Sequence, residues 1–307
     1  MPNILTITFS PSIDKSTSIP SLLPEKKLIC EHPKLEPGGG GINVARAIKK
    51  LGGEAIAIYP AGGCNGIIFN QLLQNENIST LNIVSENNTK ENLVVLDLSN
   101  NHQYRFGMPN VSLNDQEWKN CLKAVEEFEN PEFIVASGSI PPGVPLNIFA
   151  KLAKIAKNKN AKFIIDTSGE ALKQATDEGV YLIKPNLHEL SKLAGKSELN
   201  SAEVEAAAKN IIAKGNCEVV VCSLGAEGAM LITKDVTRTI LAPKVLSKST
   251  VGAGDSMVGG IVYSLSKGES LEEAIKYGVA CGSAATLNPG TELCKKEDAD
   301  RLYQLLK

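Results

Sequence analysis

Residues 249–265 read STVGAGDSMVGGIVYSL, a glycine-containing turn that runs into a helical pattern. Apolar side chains recur there with α-helical spacing at Val258, Ile261, Val262 and Leu265. The pattern therefore predicts that Gly252, Ala253 and Gly254 lie where a helix begins. The first amides of a helix have no partner inside it, and glycines let an anion approach those amides closely. The stretch predicts an anion site suited to phosphate.

Asp255 places a carboxylate beside this expected anion site. One hypothesis is a helix-capping aspartate. The other is a general base that takes a proton from a hydroxyl as the hydroxyl attacks a phosphoryl group. The stretch alone leaves both open.

Composition limits the class of partner. The chain has 307 residues and a net charge of -2, and Lys and Arg are spread without the basic block of a nucleic-acid binder. Seven cysteines without a Cys-x-x-Cys pair argue against a disulfide framework and structural zinc. The N-terminus lacks a signal-peptide pattern, and no apolar run reaches membrane-spanning length. We expect a cytoplasmic protein with small-molecule partners and no role at membranes or nucleic acids.

Short apolar runs alternate with helical patterns along most of the chain. This order predicts a doubly wound, mostly parallel sheet covered by helices, an α/β fold. The expected strands are 3–9, 55–59, 133–136, 163–166, 181–184 and 218–222. Polar residues or glycines follow these strands, and they should meet along the carboxyl edge of the sheet, where ligands bind. Asp14 follows the first strand and is a candidate site residue.

Residues 37–52, PGGGGINVARAIKKLG, form a second place where backbone can lie against a ligand. The glycine-rich patterns of P-loops and of dinucleotide-binding folds are both absent. A flexible turn is the simpler interpretation. Asn43 favours binding, because its amide stands where a sugar hydroxyl could be recognised.

Two segments, at about 15–36 and 89–108, carry β-like patterns without helices, including residues 27–30 and a hairpin around residues 100–101. We expect them to pair into a small β lid on a single domain spanning 1–307. Arg105 is either a phosphate clamp or a solvated hairpin side chain. Leu93 and Val95 suggest an outer apolar face that a homodimer would cover lid to lid.

Residues 184–189, KPNLHE, open another predicted helix. Asn186 and Glu189 are three apart and share a face, which suits a hydrated Mg²⁺ with nucleotide phosphates. A helix cap with an acidic first turn explains the same spacing.

Together these segments resemble the PfkB (ribokinase-like) sugar kinase family over essentially the whole chain. The most specific are residues 38–45 and 249–256, and residues 184–189 resemble the family's Asn-x-x-Glu element. Within the family, the chain resembles the hexose-phosphate kinases, above all the 6-phosphofructokinases. The segments that carry this resemblance are residues 10–14, 24–28, 104–106, 137–143 and 282–288.

The resemblance implies ATP-dependent phosphorylation of fructose 6-phosphate at the C1 hydroxyl to fructose 1,6-bisphosphate, a glycolytic reaction. A 1-phosphofructokinase or a tagatose-6-phosphate kinase is the alternative within the family. A catalytically silent sensor of sugar phosphates or nucleotides is the alternative from another class. Asp255 would be the general base, and the amides of Gly252, Ala253 and Gly254 would form the anion hole.

The other residue roles implied by the resemblance divide by ligand. The sugar phosphate would be bound by Asp14, Lys27, Gly39, Asn43, Lys90, Arg105 and Ser139. ATP would lie along Lys184, Asn186, Ser223, Gly225, Gly228 and Ser283. Mg²⁺ would be organised through Asn186 and Glu189, and a monovalent cation such as K⁺ by Ser249, Val251, Asn288 and Gly290.

Two positions depart from the family pattern. Lys90 stands where relatives carry an arginine that reaches the sugar phosphate, so the charge is kept and the bidentate fork is lost. Glu292, near the expected cation loop, stands where a basic residue is expected, and the sequence offers no interpretation of it.

Overall fold

A computed structural model describes residues 3–200 and 202–307 of the chain. Its strands are β1 (Ile4–Ile7), β2 (Ser12–Ile19), β3 (Lys34–Gly38), β4 (Ile56–Gly62), β5 (Ser79–Ser85), β6 (Lys90–Asp97), β7 (His102–Phe106), β8 (Phe133–Ser137), β9 (Lys162–Asp166), β10 (Val180–Ile183), β11 (Cys217–Ser223), β12 (Ala229–Ile232) and β13 (Thr237–Ile240). Its helices are α1 (Gly40–Lys50), α2 (Gly63–Asn75), α3 (Asp115–Glu127), α4 (Ile148–Asn158), α5 (Gly169–Glu178), α6 (Leu187–Leu193), α7 (Val204–Ala213), α8 (Ala253–Ser266), α9 (Leu271–Thr286) and α10 (Lys296–Gln304).

Nine strands form the main sheet, in the order β13-β12-β11-β10-β9-β8-β1-β4-β5. The seven strands from β11 to β5 in this order are parallel, and β12 and β13 add an antiparallel edge. The α/β fold with a mostly parallel sheet is therefore confirmed. In a parallel sheet all carboxyl ends lie on one edge, and here that edge carries the polar residues that follow β1, β8, β9, β10 and β11.

Two helical layers bury the faces of this sheet. Along β1, Ile4 packs into one apolar cluster and Leu5 and Ile7 into the other, since successive side chains point to opposite faces. The Ile4 cluster includes residues of α1, α2, α8 and α9, and the Leu5 cluster includes residues of α3 to α7. The helices that carry the two glycine motifs, α1 and α8, thus pack side by side on one face.

The second sheet is small and has four strands, in the order β3-β2-β6-β7. The expected β-like piece at residues 27–30 is wrong, because the chain between β2 and β3 is irregular. Prolines at 20, 24 and 33 remove backbone donors there, which disfavours a paired strand. None of the helices in the described ranges is long and apolar enough to cross a membrane.

Candidate active site

The start of α8 presents free backbone amides. Gly252 is the N-cap with φ 74°, a left-handed conformation that favours glycine. The first bond of the helix runs from the Ser256 amide to the Gly252 carbonyl, at 2.8 Å, so the amides of Ala253 and Gly254 precede it. This geometry matches an anion-binding helix terminus.

Asp255 is the third residue of α8 and makes no capping bond. Its Oδ2 accepts a 2.9 Å hydrogen bond from the Asn43 side-chain amide, and its Oδ1 accepts one of 3.4 Å from the Ser137 hydroxyl. The capping interpretation is therefore wrong for this side chain. The carboxylate instead faces α1 and the end of β8 across the carboxyl edge of the sheet.

The pKa of Asp255 is raised from 3.8 to about 6, chiefly by burial and in part by the charge of the nearby Asp166 carboxylate. The bond from Asn43 and the charge of Lys184 act in the opposite direction. A carboxylate with a pKa near 6 is ionised at neutral pH and is a stronger proton acceptor than an ordinary aspartate.

Lys184 follows β10 as a buried cation, 6% exposed, with its Nζ 3.2 Å from Asp166 Oδ1 at the end of β9. The Asp166 charge raises the pKa of Lys184 despite the opposing effect of burial. A β-carbon built on Gly254 would lie 3.5 Å from Lys184 Nζ, so the ammonium stands beside the free amides of α8. Charge and amide donors therefore converge on the same place.

The glycine run opens α1 rather than a flexible turn. Gly39 is the N-cap of α1. A β-carbon on Gly40 would lie 2.2 Å from Ser137 Oγ, and one on Gly41 would lie 2.4 Å from the Ile7 carbonyl oxygen. Only glycines permit this close approach of α1 to the ends of β1 and β8. The packing brings Asn43 to the carboxyl edge.

Asp14 lies on β2, in the small sheet, where it accepts hydrogen bonds from Ser12 Oγ at 2.8 Å and Asn92 Nδ2 at 2.9 Å. Burial raises the pKa of Asp14, and the charges of Arg46 and Lys90 oppose the rise. The carboxylate is held by fixed donors and is suited to accept hydroxyl donors from a sugar.

Sequence reasoning missed Asn110. Its Oδ1 accepts bonds from Lys90 Nζ at 2.6 Å and Ser10 Oγ at 2.9 Å, and its amide donates to Ser139 Oγ at 3.0 Å. Two expected phosphate-binding residues, Lys90 and Ser139, thus meet through one side chain. An asparagine in an irregular segment gives no sequence signal, and only the fold brings it here.

Arg105 lies on β7, and its Nη2 donates to Thr250 Oγ1 at 3.2 Å, which links the small sheet to the segment before α8. The bond distinguishes Arg105 from a freely solvated side chain. Lys27 lies exposed on the irregular stretch between β2 and β3, outside the contacts described above.

A cleft of about 550 Å³ opens beside the start of α8. Four of the expected nucleotide-binding residues line it: Ser223, Gly225, Gly228 and Ser283. Pro243, Val245, Met257 and Val279 add apolar walls that suit an aromatic base, and Gly254 lines the end that carries the free amides.

Asn186 and Glu189 form a capping box at the start of α6. Asn186 Oδ1 accepts from the Glu189 amide and Glu189 Oε2 accepts from the Asn186 amide, both at 2.9 Å. The capping alternative is therefore present in the structure. The box fixes both side chains and keeps Glu189 Oε1 outside these two bonds, so a role towards hydrated Mg²⁺ is compatible with it. Backbone pairing with Ser223 sets Asn186 beside the cleft.

The four residues expected at a monovalent cation lie together. Ser249 Oγ donates to the Gly290 carbonyl at 2.7 Å and accepts from the Val251 amide at 3.2 Å. Asn288, two residues before Gly290, is buried and donates to the Leu293 carbonyl at 3.0 Å. A loop with several backbone carbonyls is the oxygen-rich environment that such cations require.

Glu292, without an interpretation from the sequence, pairs with Lys34 at 2.6 Å. Lys34 also lies 3.5 Å from Glu36, whose second oxygen accepts a 2.7 Å bond from Thr291. The acidic residue therefore helps to hold the loop that follows α9 against β3.

Three features meet on one edge of the sheet: a helix start suited to an anion, an adjacent proton acceptor and a nucleotide-sized cleft. Together they define a small-molecule phosphotransferase. Residues 9–298 match the family described as pfkB family carbohydrate kinase. The chain belongs to this family, as its motifs indicated.

The ATP-dependent 6-phosphofructokinase isozyme 2 of Escherichia coli (strain K12) is 44% identical over 307 residues, which are 100% of this chain and 99% of that protein. A crystal structure of phosphofructokinase-2 from Escherichia coli with potassium has a TM-score of 0.95 at 44% identity and covers 100% of this chain and 99% of that one. The same enzyme in complex with fructose-6-phosphate has a TM-score of 0.94 at 42% identity, with the same coverage.

Proposed function

We propose that this chain is an ATP-dependent kinase that phosphorylates fructose 6-phosphate at the C1 hydroxyl. The observation that carries the proposal is the position of Asp255, one residue after the free amides of α8 and hydrogen-bonded to Asn43 of the glycine run. The similarity to a 6-phosphofructokinase over the whole chain supports the choice of substrate.

Asp255 accepts the proton of the attacking hydroxyl. Its pKa of about 6 is still below neutral pH, so the carboxylate is ionised there, and the raised pKa makes it a stronger base than an ordinary aspartate. The amides of Gly252, Ala253 and Gly254 and the nearby Lys184 ammonium stabilise negative charge on the transferring phosphoryl group. Since the transition state of phosphoryl transfer is loose, positioning and charge stabilisation matter more here than base strength.

The sugar phosphate binds between the small sheet and α1. Asp14, Gly39 and Asn43 recognise hydroxyls, because a carboxylate and an amide at fixed positions discriminate sugars by hydrogen bonding. Lys90, Ser139 and Arg105 bind the phosphate, and Lys27 approaches it from the irregular segment between β2 and β3. Lys90 and Ser139 both contact Asn110, which supports a common site for the two.

ATP occupies the cleft lined by Ser223, Gly225, Gly228 and Ser283, with Lys184 and Asn186 at the phosphate end. Asn186 and Glu189 would hold a hydrated Mg²⁺, which would neutralise phosphate charge there. The carbonyl-rich loop containing Ser249, Val251, Asn288 and Gly290 holds a monovalent cation, K⁺. The relative's structure in complex with potassium supports the choice of K⁺ as the cation.

Residues 1–307 act as one ribokinase-like unit whose lid is the small sheet. We infer a homodimer through this lid. Val95 was expected on the apolar surface that the dimer covers, and this expectation is wrong because Val95 is only 5% exposed. Other large apolar side chains are exposed on or beside the small sheet: Leu23, Ile29, Leu98, Phe106 and Met108. All seven cysteines are free thiols, which supports a reducing, cytoplasmic location.

A coupled assay of ADP release tests the proposal. The steady-state kcat/KM is ranked over fructose 6-phosphate, fructose 1-phosphate and tagatose 6-phosphate, and we expect the first to be preferred. A clear preference for either of the others would assign the chain to the alternative activities. Calorimetric binding of a sugar phosphate without ADP release for any of them would favour the non-catalytic sensor.

A further inference from the structure

Arg46 is a buried guanidinium on α1, and it is 1% exposed. It forms a two-bond fork with Glu76, from Nε to Oε2 at 2.8 Å and from Nη2 to Oε1 at 2.6 Å. Nη2 also donates to Glu36 at 3.2 Å, and Nη1 donates to the Pro37 carbonyl at 2.8 Å and to Asn43 Oδ1 at 3.3 Å. Arginine has five N–H donors, so each of them has a partner in this arrangement.

The last of these bonds determines how the Asn43 amide is oriented. Arg46 lies one helical turn beyond Asn43, on the same face of α1, and a guanidinium can only donate. Asn43 must therefore turn its oxygen towards Arg46, and its NH₂ group then points at Asp255 Oδ2, 2.9 Å away. A flipped amide would place its oxygen against the carboxylate and its NH₂ group against the guanidinium, so both contacts would become repulsive.

We propose that Arg46 is a positioning residue for the catalytic base, which it controls by fixing the Asn43 amide in the orientation that donates to Asp255. This role rests on the proposed function of Asp255 as the base. The N–H groups of Arg46 donate to Glu36, Glu76, Pro37 and Asn43, so Arg46 acts on Asp255 through Asn43.

The charges around Asp255 indicate what this positioning does. Asp166, at the end of β9, raises the pKa of Asp255, as burial does, whereas Lys184, after β10, lowers it. Among uncharged groups, Asn43 on α1 and Ser137 on β8 lower the pKa by donating hydrogen bonds. Loss of the Asn43 bond removes one of these stabilising contacts, so Asp255 will protonate at a higher pH.

The same guanidinium also connects the base to the loop that follows α9. Glu36 receives Arg46 on one oxygen and Thr291 on the other, at 3.2 and 2.7 Å. The Thr291 carbonyl oxygen lies 3.9 Å from a β-carbon built on Gly252, the N-cap of α8. The cluster around Arg46 thus extends from Asn43 to the segment that lies beside Gly252.

The test substitutes Arg46 with lysine, which keeps the buried charge. An ammonium has three donors and is expected to stay with Glu36 and Glu76, which leaves Asn43 free to flip. We expect Arg46→Lys to lower kcat roughly tenfold, as loss of such supporting contacts does elsewhere. The acidic limb of the kcat profile should move up by about half to one pH unit.

Glu76→Gln is the matched control. It weakens the same buried ion pair on the side away from Asn43, so it should lower the melting temperature while leaving the acidic limb in place. If Glu76→Gln shifts the limb as much as Arg46→Lys does, the effect is general destabilisation and the proposal is wrong. Arg46→Met is a harsher variant, and the conclusion does not require it to fold.

A double-mutant cycle tests the route. In an Asn43→Ala background, Arg46→Lys should change kcat less than twofold, because the side chain through which Arg46 acts is gone. A second loss as large as the first would overturn the proposal, as would an Arg46→Lys enzyme with wild-type kcat and pH profile.

The Asp255 carboxyl can also be titrated by ¹³C NMR, which does not depend on turnover. Arg46→Lys should raise the Asp255 pKa in this experiment, and an unchanged pKa would contradict the inference. If the wild type transfers phosphate to no sugar phosphate, the proposed function fails, and the carboxyl titration still decides whether Arg46 positions Asn43.

Discussion

Asn43 and Asp255 are 212 positions apart in the sequence, and a 2.9 Å hydrogen bond joins the amide of the first to the carboxylate of the second. Asn43 belongs to the helix that the glycine run opens, and Asp255 to the helix whose first amides are free. The bond therefore connects the expected sugar side of the site to the expected phosphate side.

The rate should depend on the ionisation of Asp255. Because burial raises the pKa of Asp255 to about 6, we expect kcat to fall below about pH 6 as the base becomes protonated. Asn43→Ala removes a bond that lowers this pKa, so the acidic limb should shift to higher pH. Asn70→Ala is the control, because Asn70 lies on α2 and accepts a hydrogen bond from the Tyr59 hydroxyl, so the limb should stay in place there. A limb that stays in place in Asn43→Ala as well would contradict this assignment.

The same raised pKa should cost stability at neutral pH. Between pH 3.8 and about 6 the folded state binds more protons at Asp255 than the unfolded state, so stability falls as pH rises through that window. Asp255→Asn cannot ionise and should be more stable than the wild type at pH 7, by on the order of 1 to 3 kcal/mol. Thermal unfolding should show the gap closing towards pH 4, and a less stable variant at pH 7 would oppose the prediction.

Lys90 should contribute to sugar-phosphate binding. Lys90→Met removes a charged donor and should raise KM for fructose 6-phosphate roughly tenfold to a hundredfold, with KM for ATP nearly unchanged. Lys15→Met is the control on the same small sheet, where the Lys15 ammonium pairs with Glu91. Equal effects of the two substitutions would show that Lys90 has no special contact with the phosphate.

The exposed apolar surface of the small sheet should mediate dimerisation. We expect light scattering at micromolar concentration to give about twice the chain mass of 32.7 kDa. Phe106→Asp, at a side chain 44% exposed, should shift the protein to monomer because it places a charge in the interface. Val84→Asp on β5, 80% exposed, should leave the dimer intact. A wild-type monomer would refute the dimer.

Much of the fold follows from pattern alone. Continuous apolar runs such as residues 218–222 are typical of strands buried on both faces, and the structure has β11 there, at Cys217–Ser223. The start of α8 was predictable for a similar reason, since a 3.6-residue period of apolar side chains begins directly after the glycines. Strands and helix starts can be predicted from short stretches of sequence because the periodicity of the apolar residues and the positions of the glycines specify them locally.

Other parts of the site depend on tertiary packing and could not be predicted in this way. Asn110 joins Lys90 to Ser139 only because the fold brings together segments that are 20 and 29 positions away. Arg46 looks like an ordinary arginine on an amphipathic helix, yet its side chain is buried. Val95 was expected to be exposed, but Val94 and Val95 point to opposite faces of β6 and both are buried, so both faces are covered there. Alternation shows which residues share a face, and it does not show whether that face is covered.

The most direct test of the account is the turnover of Asp255→Asn with ATP and fructose 6-phosphate. The substitution keeps the size of the side chain and removes the proton acceptor. We predict that kcat falls at least about a hundredfold while calorimetry shows ATP binding and thermal unfolding shows an intact fold. Turnover close to that of the wild type would contradict the role of Asp255 as the catalytic base.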